Sequence, residues 1–168
     1  MKKISLLVAL LVVISISSFA QLSPLSRGQL QFNLETGLSN RGMPILVGFD
    51  VGLNHDISIG AELSYRNYST EWGNATYNHN IFGFSGNGNY HFNRILGISP
   101  NWDLYSGINA GFYHWKSDRG YDGVGKSGLG VGIQIGARYY WSDFWGINAE
   151  LKGDNSVRSM KIGLSVRF

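Results

Sequence analysis

From residue 28 onward, apolar and polar side chains alternate with period two. In QLQFNLETGLS, Leu30, Phe32, Leu34 and Leu38 fall on one face, while Gln31, Asn33, Glu35 and Gly37 fall on the other. Successive strand residues point to opposite sides, so this alternation predicts a β-strand with one apolar and one polar face. Seven further segments repeat it. Taken every second residue, their apolar positions run 45–53, 57–65, 82–92, 102–112, 129–139, 145–151 and 160–168. None of these positions carries a charge, although charged residues make up 15% of the chain.

The opposite face differs in kind. It holds five acids, Glu35, Asp50, Glu62, Asp103 and Glu150, and five bases, Arg66, Arg138, Lys152, Lys161 and Arg167. Glycines, Ser, Asn and Gln fill the positions between them. A water-facing strand surface gains nothing from glycine, which costs entropy and packs nothing. Small residues among a few large charged ones suit the narrow interior of an eight-stranded barrel, where balanced charges find partners. The pattern therefore predicts an inside-out sheet, polar within and apolar toward lipid. Hydrocarbon leaves no backbone group unpaired, so the strands must close without a free edge. The fold expected is all-β: an eight-stranded antiparallel up-and-down transmembrane β-barrel.

Several details of the plan follow. Aromatics gather where strands should leave the bilayer, with Phe92, Trp102, Tyr139, Trp141, Trp145 and Phe168 at one level and Tyr65, Phe112 and Trp115 near the other. Residues 54–56 and 141–143 are short turns. The polar stretches 67–80 and 116–127 are expected as longer loops at the opposite end. Two connections depart from this scheme: 93–101 is long for a turn, and 40–43 is short for a loop.

Composition sharpens the reading. The chain has 168 residues, with 23 glycines and 14% aromatics. That suits β-structure in one domain. There is no cysteine, which excludes disulfides, thiolate metal sites and a lipid-modified N-terminal Cys. A net charge of +3 on scattered residues gives no basic patch for nucleic acid. At the N-terminus, Lys2 and Lys3 precede an apolar run that ends in Ser18-Phe19-Ala20. This has the form of a secretory signal peptide over 1–20, cleaved before Gln21, with the barrel occupying 21–168.

A signal peptide, eight alternating strands and a terminal aromatic resemble the small outer-membrane β-barrels of Gram-negative bacteria. The OmpX-like barrels and the membrane domain of OmpA-like proteins are the nearest type. The last strand is similar to that family's C-terminal insertion signal, with Met160, Ile162, Leu164 and Val166 alternating before Phe168. The resemblance implies a bacterial outer-membrane location. It also implies contact with membrane lipid and lipopolysaccharide, and delivery by the outer-membrane insertion machinery. It does not choose among adhesins, anchors, narrow pores and enzymes.

One short stretch points elsewhere. GYDGVGKS, Gly120–Ser127, fits the phosphate-loop pattern G-x-x-x-x-G-K-[ST]. A working phosphate loop opens a helix after a buried parallel strand. Here the following residues alternate with period two and are rich in glycine, so a hairpin loop is expected and no nucleotide is assigned. The four histidines show no metal-ligand spacing. No cofactor, metal or catalytic residue is assigned.

Function is expected to rest on a plugged polar interior and exposed loops, in a structural or adhesion-like role. Tyr68, Trp72, Tyr77, Trp115, Arg119 and Tyr121 are the candidate loop contacts, since aromatics and arginine dominate binding surfaces. The ten interior charges are expected to form a salt-bridge network. Two alternatives stand beside this reading: a lipid A-modifying barrel enzyme using His114 near Ser117 and Asp118, and a narrow small-solute channel.

Overall fold

The structure is a computed structural model that describes residues 25–72, 75–118 and 127–168. Eight strands follow in chain order: β1 (Leu30–Ser39), β2 (Met43–Gly52), β3 (Ile57–Trp72), β4 (Ala75–His91), β5 (Trp102–Ser117), β6 (Gly128–Tyr140), β7 (Trp145–Asp154) and β8 (Arg158–Arg167). Each pairs antiparallel with the next, and β8 returns to β1 to close the barrel. The expected eight-stranded up-and-down barrel is therefore present. The signal peptide over 1–20 lies outside the described residues.

Closure explains the role of the terminal strand. The β1–β8 ladder runs from Gln31↔Arg167 to Ser39↔Ser159. Leu30 and Phe168 exchange backbone hydrogen bonds, at 3.3 Å from Leu30 N to Phe168 O and 2.8 Å in return. Met160, Ile162, Leu164 and Phe168 remain exposed on the outer wall, and Val166 is half-buried beside Trp145 in the register. The segment proposed as an insertion signal is thus the strand that removes the last free edge.

Burial follows the alternation in inverted form. Leu129, Ile133 and Ile108 are 70% or more exposed, while Asp103 is fully buried and Lys161 is 1% exposed. Ionised side chains are almost never fully buried unless paired. The outer wall therefore needs an apolar surrounding, and the lumen needs internal partners.

Three connections call for a physical account. First, residues 67–72 and 75–80 are strand, where a loop was expected. β3 and β4 stay paired from Asn67↔Asn80 to Trp72↔Ala75, whereas β2 ends at Met43↔Asn67. Alternating polar residues can continue a ladder in water as well as in a lumen, so polarity alone did not mark the strand end. At about 3.3 Å per residue, this extension projects roughly 17–20 Å beyond β2.

Second, the long 93–101 connection holds a one-turn helix, α1 (Asn93–Leu96), which ends at Gly97 with φ 64°. That left-handed conformation favours glycine. The Asn93 side chain donates to Trp102 O and accepts from Leu104 N, and Arg94 pairs with Asp56. The extra length forms a clip tied to β5 and to the 53–56 turn. Third, the short 40–43 link is a tight turn with Gly42 at φ 83°, where Ser39 Oγ donates to Gly42 O at 2.6 Å.

Candidate functional site

The barrel has two unlike ends. The turn end carries the connections 53–56, 93–101 and 141–144, and the loop end carries the β3–β4 hairpin. Between them, inward residues of all eight strands meet in the lumen.

Nearest the turn end, Tyr140 hydrogen-bonds with the Gln31 amide, and the Arg167 guanidinium lies 3.7 Å from the Tyr140 ring centroid. Arg167 Nε donates to Asp143 O at 3.1 Å. Arg167 is only half-buried and belongs to this rim.

One layer inward, Arg138 bridges two carboxylates, reaching Asp50 at 2.9 Å and Asp103 at 3.0 Å. His91 Nδ1 stands 2.7 Å from Asp103 Oδ1, and its Nε2 stands 2.9 Å from Ser58 Oγ. Both ring nitrogens are thereby engaged, in keeping with a hydrogen-bonded core histidine.

At mid-barrel, Lys161 Nζ sits among three carboxylates, Glu62 at 2.5 Å, Glu150 at 2.7 Å and Glu35 at 3.2 Å. Lys152 reaches Glu62 at 2.9 Å and Ser85 at 3.0 Å. Tyr105 ties the two layers together. Its hydroxyl donates to Glu150 at 2.7 Å, and the Arg138 guanidinium lies 4.1 Å from its ring centroid. A buried ion pair holds only when hydrogen bonds satisfy the remaining lone pairs and protons, and this lumen supplies many of them.

Arg66 stands apart from these clusters. It is buried beside the Tyr113 ring at 5.6 Å, and its Nε and Nη1 have no hydrogen-bond partner among the described residues. The sequence reading placed it in the network because it shares the inward parity. Its position four residues beyond Glu62 on β3 sets it too near the loop end to join Lys161.

Little space is left. A cavity bounded by Glu35, Asp50, Glu62, Arg138, Glu150 and Lys161, among others, encloses about 10 Å³. That is room for roughly one water.

An apolar cluster lies toward the loop end. Ile81, Tyr113 and Val157 are buried together, with Tyr68 and Trp115 packed on them. Tyr68 meets Trp115 edge-on at 6.2 Å, and Arg41 lies 5.1 Å from the Trp115 ring. Trp115 has inward parity, so it takes no place in the lipid-facing girdle suggested for it. Tyr68 belongs to the same cluster. Tyr77 is half-buried on the projecting hairpin. The Trp72 side chain, Arg119 and Tyr121 lie outside the described residues.

His114, Ser117 and Asp118 do not come together. His114 Nδ1 is 3.3 Å from Ser127 Oγ, Ser117 Oγ is 2.8 Å from His79 Nδ1, and Asp118 accepts from Asn78 N at 2.9 Å. Of GYDGVGKS, only Ser127 is described, and the residues after it form β6, antiparallel to β5.

The inward tyrosines Tyr105, Tyr113 and Tyr140 were not singled out from sequence. Their strand parity was the available signal, since each lies one residue from an outward position. Leu25 was missed as well. It is buried at the turn end, where its backbone and that of Ser26 cross over Gly52.

The family model for the outer membrane protein β-barrel domain matches residues 6–168. No curated protein matches the sequence. Among solved structures, the chain is similar to the outer membrane protein OprG from Pseudomonas aeruginosa, with a TM-score of 0.62 and 9% identity over 86% of this chain and 97% of that one. The N-terminal β-barrel domain of Pseudomonas aeruginosa OprF gives 0.56 and 16% over 84% and 98%. A de novo designed transmembrane β-barrel gives 0.53 and 17% over 85% and 98%.

Proposed function

The chain belongs to the outer membrane protein β-barrel family, and from that premise we propose that it is a sealed anchor in a bacterial outer membrane that presents its loop-end hairpin for surface contact. One observation carries this reading. Among the described residues, the cavity between the Lys161 and Arg138 layers has room for about one water, while β3, β4 and β5 run 16, 17 and 16 residues against 10 for β1, β2, β7 and β8. Material is spent on projection and none on passage. In this reading the termini and turn end face the periplasm, and the hairpin and the β5–β6 connection face outward. Residues 1–20 act as the cleaved export signal.

Each alternative meets an obstacle. A channel needs a continuous water path, and the Lys161 and Arg138 layers fill the middle of the barrel. A lipid A-modifying enzyme needs a hydroxyl, a base and an acid in one place, and His114, Ser117 and Asp118 go to separate partners.

The test is removal of Thr70–Tyr77, which shortens the hairpin to the Ser69↔Asn78 rung. Cells displaying the truncated chain should lose surface binding, while the purified barrel keeps its heat-modifiable gel migration. Undiminished adhesion would remove the proposal. Stepwise conductance of the intact chain in planar bilayers would favour the channel, and loss or gain of one acyl chain on lipid A would favour the enzyme.

A further inference from the structure

The lumen repeats one arrangement, an arginine beside a tyrosine ring whose hydroxyl is hydrogen-bonded. Tyr140 bonds with Gln31 beside Arg167, Tyr105 donates to Glu150 at 2.7 Å beside Arg138, and Tyr113 donates to Asp154 at 2.7 Å beside Arg66. In the first two cases the arginine also reaches an oxygen of its own. Arg167 donates to Asp143 O, and Arg138 pairs with Asp50 and Asp103. Arg66 has no such acceptor among the described residues. It is 1% exposed, its Nε and Nη1 are enclosed without a hydrogen-bond partner, and it makes no ion pair.

The carboxylates whose charge acts on Arg66 are Glu62 and Asp154, and both are engaged elsewhere. Glu62 holds Lys152 and Lys161. Asp154 accepts from the Tyr113 hydroxyl through Oδ2, and from Ser156 N and Val157 N through Oδ1. The immediate neighbours do not solvate the charge either. The register partners of Arg66 are Pro44 on β2 and Ile81 on β4, both buried. Cross-strand partners lie side by side on one face, so two apolar side chains flank the guanidinium stem. The Tyr113 ring centroid is 5.6 Å away, near the ~6 Å limit of a useful cation–ring contact. Arg41 repeats the condition. Its Nε is enclosed without a partner, and its guanidinium lies 5.1 Å from the ring of Trp115, the register partner of Ile81.

A buried cation stripped of water and left without a counter-charge is strongly destabilising. We infer that Arg66 holds a small monovalent anion, chloride or another halide, in the loop-end half of the lumen. The ion supplies the acceptor that Asp50 and Asp103 supply to Arg138. Apolar walls favour a small, singly charged ion, because a doubly charged oxyanion costs more to strip of water and needs more donors than this site provides. The inference is independent of what the hairpin binds.

Urea unfolding of the full barrel in nonionic detergent tests it, with sodium chloride titrated against sodium gluconate at constant ionic strength. Gluconate is the bulky reference anion. The wild-type midpoint should rise with chloride along a saturating curve, since an ion that binds only the folded state stabilises it by mass action. Arg66→Met should lose that response. In gluconate it should also unfold at higher urea than wild type, because the uncompensated charge is gone. Wild-type crystals soaked in bromide give a second reading that needs no variant. An anomalous peak within hydrogen-bonding reach of the Arg66 guanidinium is expected. Parallel chloride curves for wild type and Arg66→Met, a flat wild-type curve, or bromide bound only elsewhere would overturn the inference.

Discussion

Tyr105 lies across the inward backbone of Gly136, its register partner on β6, so closely that a Cβ at Gly136 would fall 2.3 Å from the phenol ring. The same pairing recurs. Tyr140 covers Gly146, where the added carbon would lie 2.7 Å away, and Tyr113 lies between Gly83 and Gly130 at 2.8 and 2.6 Å. Four inward glycines, Gly83, Gly130, Gly136 and Gly146, are therefore the complement of three tyrosines. Glycine gives up packing at one position so that a neighbouring ring can lie flat and carry its hydroxyl across the lumen.

This relationship predicts a sharp contrast between glycines. Gly136→Ala should push Tyr105 off Glu150 and destabilise the barrel by about 1–3 kcal/mol, as overpacking does. Gly88→Ala faces outward with no atom within 4 Å and should change stability by no more than ~0.5 kcal/mol. Urea unfolding of both variants in lipid vesicles checks the pair, and equal midpoints would show that the ring contact is unimportant.

Lys161 supports a different expectation. Removing its ammonium leaves the buried Glu35, Glu62 and Glu150 facing one another, with Lys152 still on Glu62. Lys161→Met should therefore cost about 3–5 kcal/mol, the range for breaking a buried pair. Replacing Glu35 with Gln in that background should recover part of the loss, because one uncompensated charge goes. Vesicle unfolding of the single and double variants measures the coupling.

The outer wall can be probed at Ile133, which is 70% exposed and lies at mid-strand. Ile133→Arg should lower folding stability by about 2–4 kcal/mol, the cost of a midplane cation on the lipid face. Ile133→Leu should be nearly neutral. Folding yield into vesicles, read from heat-modifiable migration, separates them, and similar yields would contradict a lipid-facing Ile133.

Amide exchange should divide β3 in two. Rungs within the barrel, such as Glu62↔Ser85, are closed on both sides by neighbouring strands. Beyond Asn67 the strand has a ladder partner only in β4 among the described residues, so Ser69–Glu71 belongs to the low-stability end of the structure. Protection of Ser69–Glu71 should be lower than that of Glu62 by several orders of magnitude. Uniform protection along β3 would mean that the hairpin is covered.

The barrel was legible because parity is a local property. Leu34 and Glu35 differ by one position, and a strand sends them to opposite faces whatever the rest of the chain does. Eight such segments with no charge on the apolar face left a closed, lipid-facing sheet as the physical solution. The end of β3 was not legible, because Ser69 and Asn78 keep the ladder going where the membrane-length pattern had already stopped.

Sequence alone determined which side chains face inward, since backbone pleating fixes that residue by residue. Only the tertiary structure decided which of them meet. Lys161 finds Glu62 across 99 positions and Arg138 finds Asp50 across 88, while Arg66, of equal parity, finds neither carboxylate. Those partners depend on height along the barrel axis, which follows from the stagger imposed when β8 closes on β1. No local pattern of polar and apolar letters carries that stagger.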